Sequence, residues 1–159
     1  MIVHSEGDSR KILLGMKKRG FGAGYYNGFG GKVEPGETIE QAALRELEEE
    51  AHVTALDMER RGVLRFIFDD NPQPWEVHVF HATEFSGEPL ETDEMAPVWF
   101  LEADIPFDKM WADDVHWYPL FLGGKCFRGE FFFTKTTTLV KHTLEEVAGP
   151  PFPWPDVPL

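Results

Sequence analysis

A chain of 159 residues is long enough to close one hydrophobic core without covalent staples, and its single cysteine, Cys126, excludes an internal disulfide framework and fits a reducing compartment. A formal charge of −13 repels a nucleic-acid backbone, and the one basic cluster, Lys11, Lys17, Lys18 and Arg19, suits a few phosphates on a small ligand better than a polymer. No apolar run approaches the roughly 18 residues of a membrane span, and Met1 is not followed by a basic and then apolar leader, so no membrane partner is expected. The expectation is a monomer in the cytoplasm, with the nucleus and mitochondrion as alternatives.

In chain order, Met1 to His4 supplies a short strand, Glu6-Gly7-Asp8-Ser9 a hairpin turn, and Arg10 to Lys18 a strand in which Ile12, Leu14 and Met16 alternate against Lys11, Leu13 and Lys17. From Gly20 to Gly31 six glycines lie among Phe21, Tyr25, Tyr26 and Phe29, a backbone able to approach a ligand closely. Thr38 followed by Gln41 is a capping-box pattern, which predicts a helix over 39–51. Strands are predicted over 62–69 and 75–83 around a turn at 70–74, over 96–101, and over 125–134. A helix is predicted over 115–122, capped by Asp113 or Asp114 and limited by Pro119. Residues 138–147 read as a short strand or helix, and five prolines mark 149–159 as a tail in which Phe152 and Trp154 are the groups able to dock. Alternating strands with one strong early helix and one late predict an α+β domain over 1–148, a mixed sheet between helices.

The predicted helix over 39–51 carries Glu46, Glu49 and Glu50. At about 100° per residue the three carboxylates share one side, with Glu46 and Glu50 beside or inside the apolar stripe of Ile39, Ala43, Leu44 and Leu47, while Gln41, Arg45 and Glu48 point away. A charge run is ordinarily a solvated face. Carboxylates at a core edge need a cation or strong donors, and a divalent metal ion supplies one.

The spacing from Gly31 through Glu37 to Arg45-Glu46-Leu47-Glu48-Glu49-Glu50 matches the Nudix box: glycine, five residues, glutamate, seven residues, then Arg-Glu, an aliphatic, any residue and Glu-Glu. With the runs 15–24, 27–33, 93–95, 105–107 and 110–114, most of residues 10 to 147 resembles the Nudix hydrolases, and within them the MutT-type enzymes that act on oxidised purine nucleoside triphosphates. The resemblance implies hydrolysis of 8-oxo-dGTP, and of 2-hydroxy-dATP beside it, to a monophosphate and pyrophosphate. It implies Mg²⁺ as cofactor with Mn²⁺ as a substitute, held by Glu46, Glu49, Glu50, the Gly30 carbonyl and Glu94, the last being a ligand or the general base. Arg45 and Glu37 would orient these ligands. Substrate contacts would come from Lys17, Phe21, Asn27, Phe29, Gly30, Gly31, Lys32, Trp111, Ala112, Asp113 and Asp114, with Lys18 and Arg19 solvated. Taken alone, Asp113-Asp114 reads as a helix cap and Glu94 as a loop acid; the resemblance makes the one pair a reader of the purine edge and the other a site residue.

The chain departs from the family pattern at His52, where glycine is usual at a helix end; at Tyr25-Tyr26, in place of Arg-Trp; at Ile2, in place of a substrate-contacting threonine; and at Trp75, in place of a methionine. Two other readings remain at this point: a pyrophosphatase for other modified nucleotides such as methylated purine triphosphates, and a nucleotide-binding module without turnover.

Overall fold

The computed structural model describes residues 1–150 and 152. They form two compact units, one from Met1–Glu59 with Phe80–Trp111, the other from Arg60–Val79 with the chain from Ala112 onward.

The first unit is built on β2 (Ser9–Lys17), a strand whose two edges are both used. One edge takes β8 (Met95–Leu101) along its length, from Lys11 opposite Leu101 to Lys17 opposite Met95. The other takes β1 (Val3–Glu6) over its first half, across a two-residue turn at Gly7-Asp8, and β3 (Tyr26–Asn27) over its second. All these pairings are antiparallel. Ile12, Leu13 and Leu14 are all buried rather than alternating with solvent, so both faces of the strand are covered here. β4 (Thr54–Ala55) and β7 (Phe85–Ser86) form a separate two-stranded ladder.

Helix α1 (Ile39–Ala51) starts as predicted: the Thr38 hydroxyl accepts from the Gln41 N–H at 3.1 Å, and the Gln41 side chain accepts from the Thr38 N–H at 2.8 Å. Its buried residues are Ala42, Leu47, Glu50 and Ala51, so the inward face is turned by about one residue from the predicted stripe, Ala42 replacing Ala43. The helix packs into a core of Ile2, Leu13, Leu47, Ala51, Val53, Ala55 and Ala82, with Phe29 and Trp99 against it. Ile2 is thus a core residue, bridged to Ala82. The helix ends at His52 with φ 57° and ψ 32°, the left-handed conformation that glycine takes at lower cost.

The second unit holds a mixed sheet in the order β10, β9, β5, β6, formed by β5 (Glu59–Phe68), β6 (Asn71–His81), β9 (Cys126–Thr134) and β10 (Thr138–Val147). Its parallel pair is β5 with β9, where Gly62 lies opposite Phe127. A β-carbon there would fall 2.3 Å from the Phe127 ring, so the close approach requires glycine. Burial alternates along β9, with Phe127, Phe131 and Phe133 turned inward. Helix α2 (Asp114–Leu122) buries Trp117, Tyr118 and Phe121 and contacts β9.

Two expectations are corrected here, and one left open between strand and helix is decided. Residues 71–74 are strand rather than turn: β6 is the last strand of its sheet, and prolines at the alternate positions 72 and 74 withdraw donors from one edge only. Residues 138–147 form a strand. Asp113 stands at the N-cap position without capping, because its carboxylate accepts from the Trp117 indole at 2.9 Å instead. In the tail, Phe152 is buried, while Trp154 lies outside the described residues.

Candidate active site

Five structural pieces of the first unit meet at one open cleft of about 620 Å³: the end of β2, the Gly30-Gly31 turn, Glu34 on the approach to α1, the last two turns of α1 with His52, and the turn over 92–94. It is within the usual range for a small-molecule site. The chain enters it through glycine for a steric reason. A β-carbon on Gly31 would sit 2.3 Å from Oε1 of Glu46, so the Glu46 carboxylate lies directly over the backbone.

Glu46, Glu49 and Glu50 of α1 are held differently. Glu50 is buried, and desolvation pushes its carboxyl above the ordinary glutamate range; the Gly30 N–H, donating at 3.0 Å to Oε2, and the Lys17 ammonium, 3.4 Å from Oε1, act against that. Glu46 is largely covered, whereas Glu49 is 60% exposed. Arg45, expected to point away, instead turns across the helix and uses all five of its N–H groups. It donates to both oxygens of Glu37 at 2.8 and 3.1 Å, to Glu46 at 2.8 Å, to Glu49 at 3.1 Å and to the Lys32 carbonyl at 3.1 Å. The Arg45 hydrogen bond holds Glu37 below the usual carboxylate range, and the Glu37 and Glu46 bonds hold Arg45 firmly protonated.

Glu94 faces these groups from the 92–95 turn. Arg19, 3.0 Å from Oε1, and Lys17, 3.4 Å from Oε2, lower its pKa and keep it ionised. Lys17 therefore lies between Glu50 and Glu94. The expectation that Lys18 and Arg19 are merely solvated is corrected: Arg19 pairs with Glu94, and Lys18 binds Glu91 at 2.7 Å and the Thr92 carbonyl at 2.9 Å. Thr92 was missed at the sequence level altogether, although Thr-x-Glu is a pattern in which a hydroxyl receives the N–H two residues on.

As they stand, the carboxylates are drawn to basic groups rather than to one point, and among the described residues no three His, Cys, Asp or Glu side chains converge on a metal-sized position. The donor chemistry nonetheless fits a hard cation. Every candidate ligand is oxygen, and the most buried one, Glu50, carries an incompletely compensated desolvation cost.

The residues expected to meet a base fall into two groups. On the first unit, Trp111 stacks on Phe21 with ring centres 5.1 Å apart and leans on Tyr25 at 5.0 Å. The Trp111 indole N–H donates at 2.9 Å to Asn27, whose amide donates in turn to the Tyr25 carbonyl at 2.9 Å. Asn27 thus fixes the aromatic plate and keeps one proton and one lone pair. Phe29 packs on the core instead, and Lys32 contributes its carbonyl to Arg45. On the second unit, Asp113 and Asp114 are both buried and Ala112 is exposed. Burial raises Asp113 to about 6, against the Trp117 hydrogen bond.

A model of the NUDIX domain matches residues 1–121. The chain belongs to the Nudix family. It is 53% identical over 137 residues to the oxidized purine nucleoside triphosphate hydrolase of Danio rerio, covering 86% of this chain and 88% of that one, and 47% identical over 138 residues to that of Mus musculus, covering 87% and 88%. Among solved structures it is similar to a MutT protein of Bacillus halodurans, with a TM-score of 0.78 and 28% identity over 91% of this chain and 94% of that one. As a Nudix hydrolase it acts on a small nucleotide substrate with a divalent metal ion, and the cleft just described is where its box glutamates lie.

Proposed function

We propose that this Nudix hydrolase converts oxidised purine nucleoside triphosphates, 8-oxo-dGTP first among them and 2-hydroxy-dATP beside it, to the monophosphate and pyrophosphate with Mg²⁺. The observation that carries the reaction class is the gathering of Glu46, Glu49, Glu50 and Glu94 around one cleft beside Gly30-Gly31. The names of the Danio rerio and Mus musculus relatives support the substrate class. A triphosphate carries several negative charges, so an acidic cleft holds it only with a cation between. Small, hard Mg²⁺ suits an all-oxygen donor set, and Mn²⁺ substitutes for it.

The residues that would hold the ion are Glu46, Glu49, Glu50, Glu94 and the Gly30 carbonyl. When bound, it neutralises charge developing on the phosphoryl group and lowers the pKa of an attached water. The side chains do the rest. Arg45 orients Glu46 and Glu49 toward the cleft. Lys17, poised between two carboxylates, turns to a phosphate oxygen once those charges have another partner. Glu94, kept ionised by Arg19, is able to take the proton of the attacking water. One P–O bond forms to that water and one breaks to the leaving group.

Selection of the base is assigned by chemistry. The Trp111–Phe21 plate offers a flat apolar face. Guanine presents an acceptor at N7, whereas 8-oxoguanine presents N7–H, so an ionised carboxyl favours the lesion. Adjacent acids that share a proton present one donor and one acceptor, which is the role given to Asp113 and Asp114. The net charge of −13 disfavours a polymeric nucleic acid as substrate. A cytoplasmic monomer is the setting proposed, since the cleft is built by one chain and free nucleotides are its substrates.

The test is pyrophosphate release from 8-oxo-dGTP, dGTP and methylated purine triphosphates, with and without Mg²⁺. A dependence on Mg²⁺ with the highest kcat/KM for 8-oxo-dGTP is expected; a higher value for a methylated purine overturns the substrate. An unchanged 8-oxo-dGTP preference in both Asp113→Asn and Asp114→Asn overturns the base assignment.

A further inference from the structure

We infer that Thr92 is a positioning residue for the reaction proposed above, on which the inference rests: its hydroxyl ties the C-terminal end of α1 to the turn that presents Glu94. A helix leaves its last carbonyls without intrahelical partners. In α1 the Glu48 carbonyl takes the His52 N–H at 2.9 Å, but the two nearest the end are satisfied from elsewhere in the chain. The Ala51 carbonyl takes the Leu90 N–H at 3.1 Å, and the Glu50 carbonyl takes the Thr92 hydroxyl at 3.3 Å. Residues 90–92 therefore cap the helix that carries the box glutamates.

The same hydroxyl organises the next turn. The Thr92 N–H reaches the Met95 carbonyl at 2.9 Å, and the hydroxyl oxygen accepts from the N–H of Glu94 at 3.3 Å and of Met95 at 3.1 Å. A hydroxyl has two lone pairs and one proton. With both lone pairs occupied by N–H groups, the proton is left for a carbonyl; that of Met95, at 3.4 Å, already takes the Thr92 N–H, and that of Glu50 is at 3.3 Å. One oxygen atom thus joins the backbone of Glu50 to the backbone of Glu94.

The turn does not depend on this atom for its existence. The Lys18 N–H donates to the Glu94 carbonyl at 2.8 Å and the Lys18 ammonium to the Thr92 carbonyl at 2.9 Å, so the residue that follows β2 holds the turn from its other side. Loss of the hydroxyl accordingly leaves the turn in place, with the Leu90–Ala51 bond intact, but removes the direct tie between the backbones of Glu50 and Glu94. The cost falls on the mutual placement of Glu50 and Glu94, the property a shared cation reads. Groups that orient ligands in this way are commonly worth about 10- to 100-fold in metal affinity or activity.

The experiment compares Thr92→Val and Thr92→Ser, alone and with Glu94→Gln, by Mn²⁺ titration in the absence of nucleotide and by steady-state kcat and KM. Valine is expected to weaken Mn²⁺ binding and lower kcat by about tenfold or more, with KM for nucleotide little changed at saturating metal, while serine retains both. In the Glu94→Gln background the valine is expected to cost nothing further in Mn²⁺ affinity, as two residues acting through one contact do. Valine within about twofold of the parent in both readouts, serine failing as badly as valine, or the full valine cost persisting beside Glu94→Gln, each overturns the inference. If circular dichroism shows the valine variant unfolded, Thr92→Ala takes its place against serine. A parent chain that hydrolyses none of the nucleotides overturns the proposed function, and the Mn²⁺ cycle still judges Thr92.

Discussion

The carboxylate of Glu46 lies against the backbone of Gly31 so closely that a side chain there would have to displace it, a β-carbon falling 2.3 Å from Oε1. The glycine and the glutamate are therefore one element, in which the turn supplies the floor on which the acid rests. Gly31→Ala is expected to push Glu46 off that floor and lower kcat/KM by about 10- to 100-fold, as displaced ligand supports do. At Gly30 a β-carbon meets nothing within 4 Å, so Gly30→Ala is expected to leave Tm unchanged. Thermal melts and kinetics on the two variants separate the positions.

Arg45 fills five acceptors from one planar group, and no lysine can do so. Arg45→Lys is expected to keep the charge and lose the geometry, weakening Mn²⁺ binding about tenfold while Tm stays close to the parent. Equal metal affinity in the two proteins would show that charge alone suffices.

His52 holds a left-handed conformation at the end of α1. His52→Gly is expected to raise stability by about 1 kcal/mol by relieving that strain, read as a higher urea midpoint at constant m. A lower midpoint would mean that the imidazole makes a compensating contact.

The Asp113 carboxyl titrates at about 6 in the fold, against an ordinary value of 3.8, because burial disfavours its charge. Between those two values the folded chain binds the extra proton, so this group's contribution to stability falls as pH rises from about 4 to 6. Glu37 and Glu94 have lowered values and the opposite sign: their contribution is present above the ordinary glutamate range and lost below it. Urea unfolding from pH 4 to 7 is expected to show a declining contribution across pH 4–6 that Asp113→Asn removes.

The Asn27 amide is the partner of the Trp111 indole N–H. Asn27→Leu is expected to release the ring and raise KM for 8-oxo-dGTP by about tenfold with a smaller change in kcat, since the contact concerns binding of the base rather than the phosphoryl step. A fall confined to kcat would remove Asn27 from base recognition.

The cation-holding side was legible in the sequence because it depends on local spacing: a capping box at Thr38 and Gln41 marks where the helix starts, and helical spacing sets which glutamates share a side, while the reaction class was implied by the resemblance to the Nudix box. The left-handed conformation of His52 was indicated by the resemblance, which places glycine at that helix end. What was not legible required distant partners. Arg45 looked solvent-facing on a helical wheel because a wheel omits Glu37 and the Lys32 carbonyl, which pull the guanidinium across the helix. Arg19 looked solvated because its partner Glu94 lies 75 residues away. Asp113 read as a cap because the rule that favours aspartate there ignores an indole four residues on. Prolines 72 and 74 read as a turn because proline is excluded from central strands, and nothing in the sequence said that β6 would lie at an edge.

One consequence concerns the order in which the chain is made. β2 is synthesised well before β8, so one of its edges waits for that strand, whose pairing runs from Met95 opposite Lys17 to Leu101 opposite Lys11. During translation at about 5–20 residues per second that edge stands open for several seconds, exposing a largely apolar strand that other chains can join. The glutamate helix is complete by Ala51, but its outside cap, Leu90 and Thr92, arrives in the same late interval. The nascent protein thus gains the sheet closure and the cleft together, and a ribosome stalled before residue 90 holds a helix with the acids in place and nothing to set their distance from Glu94.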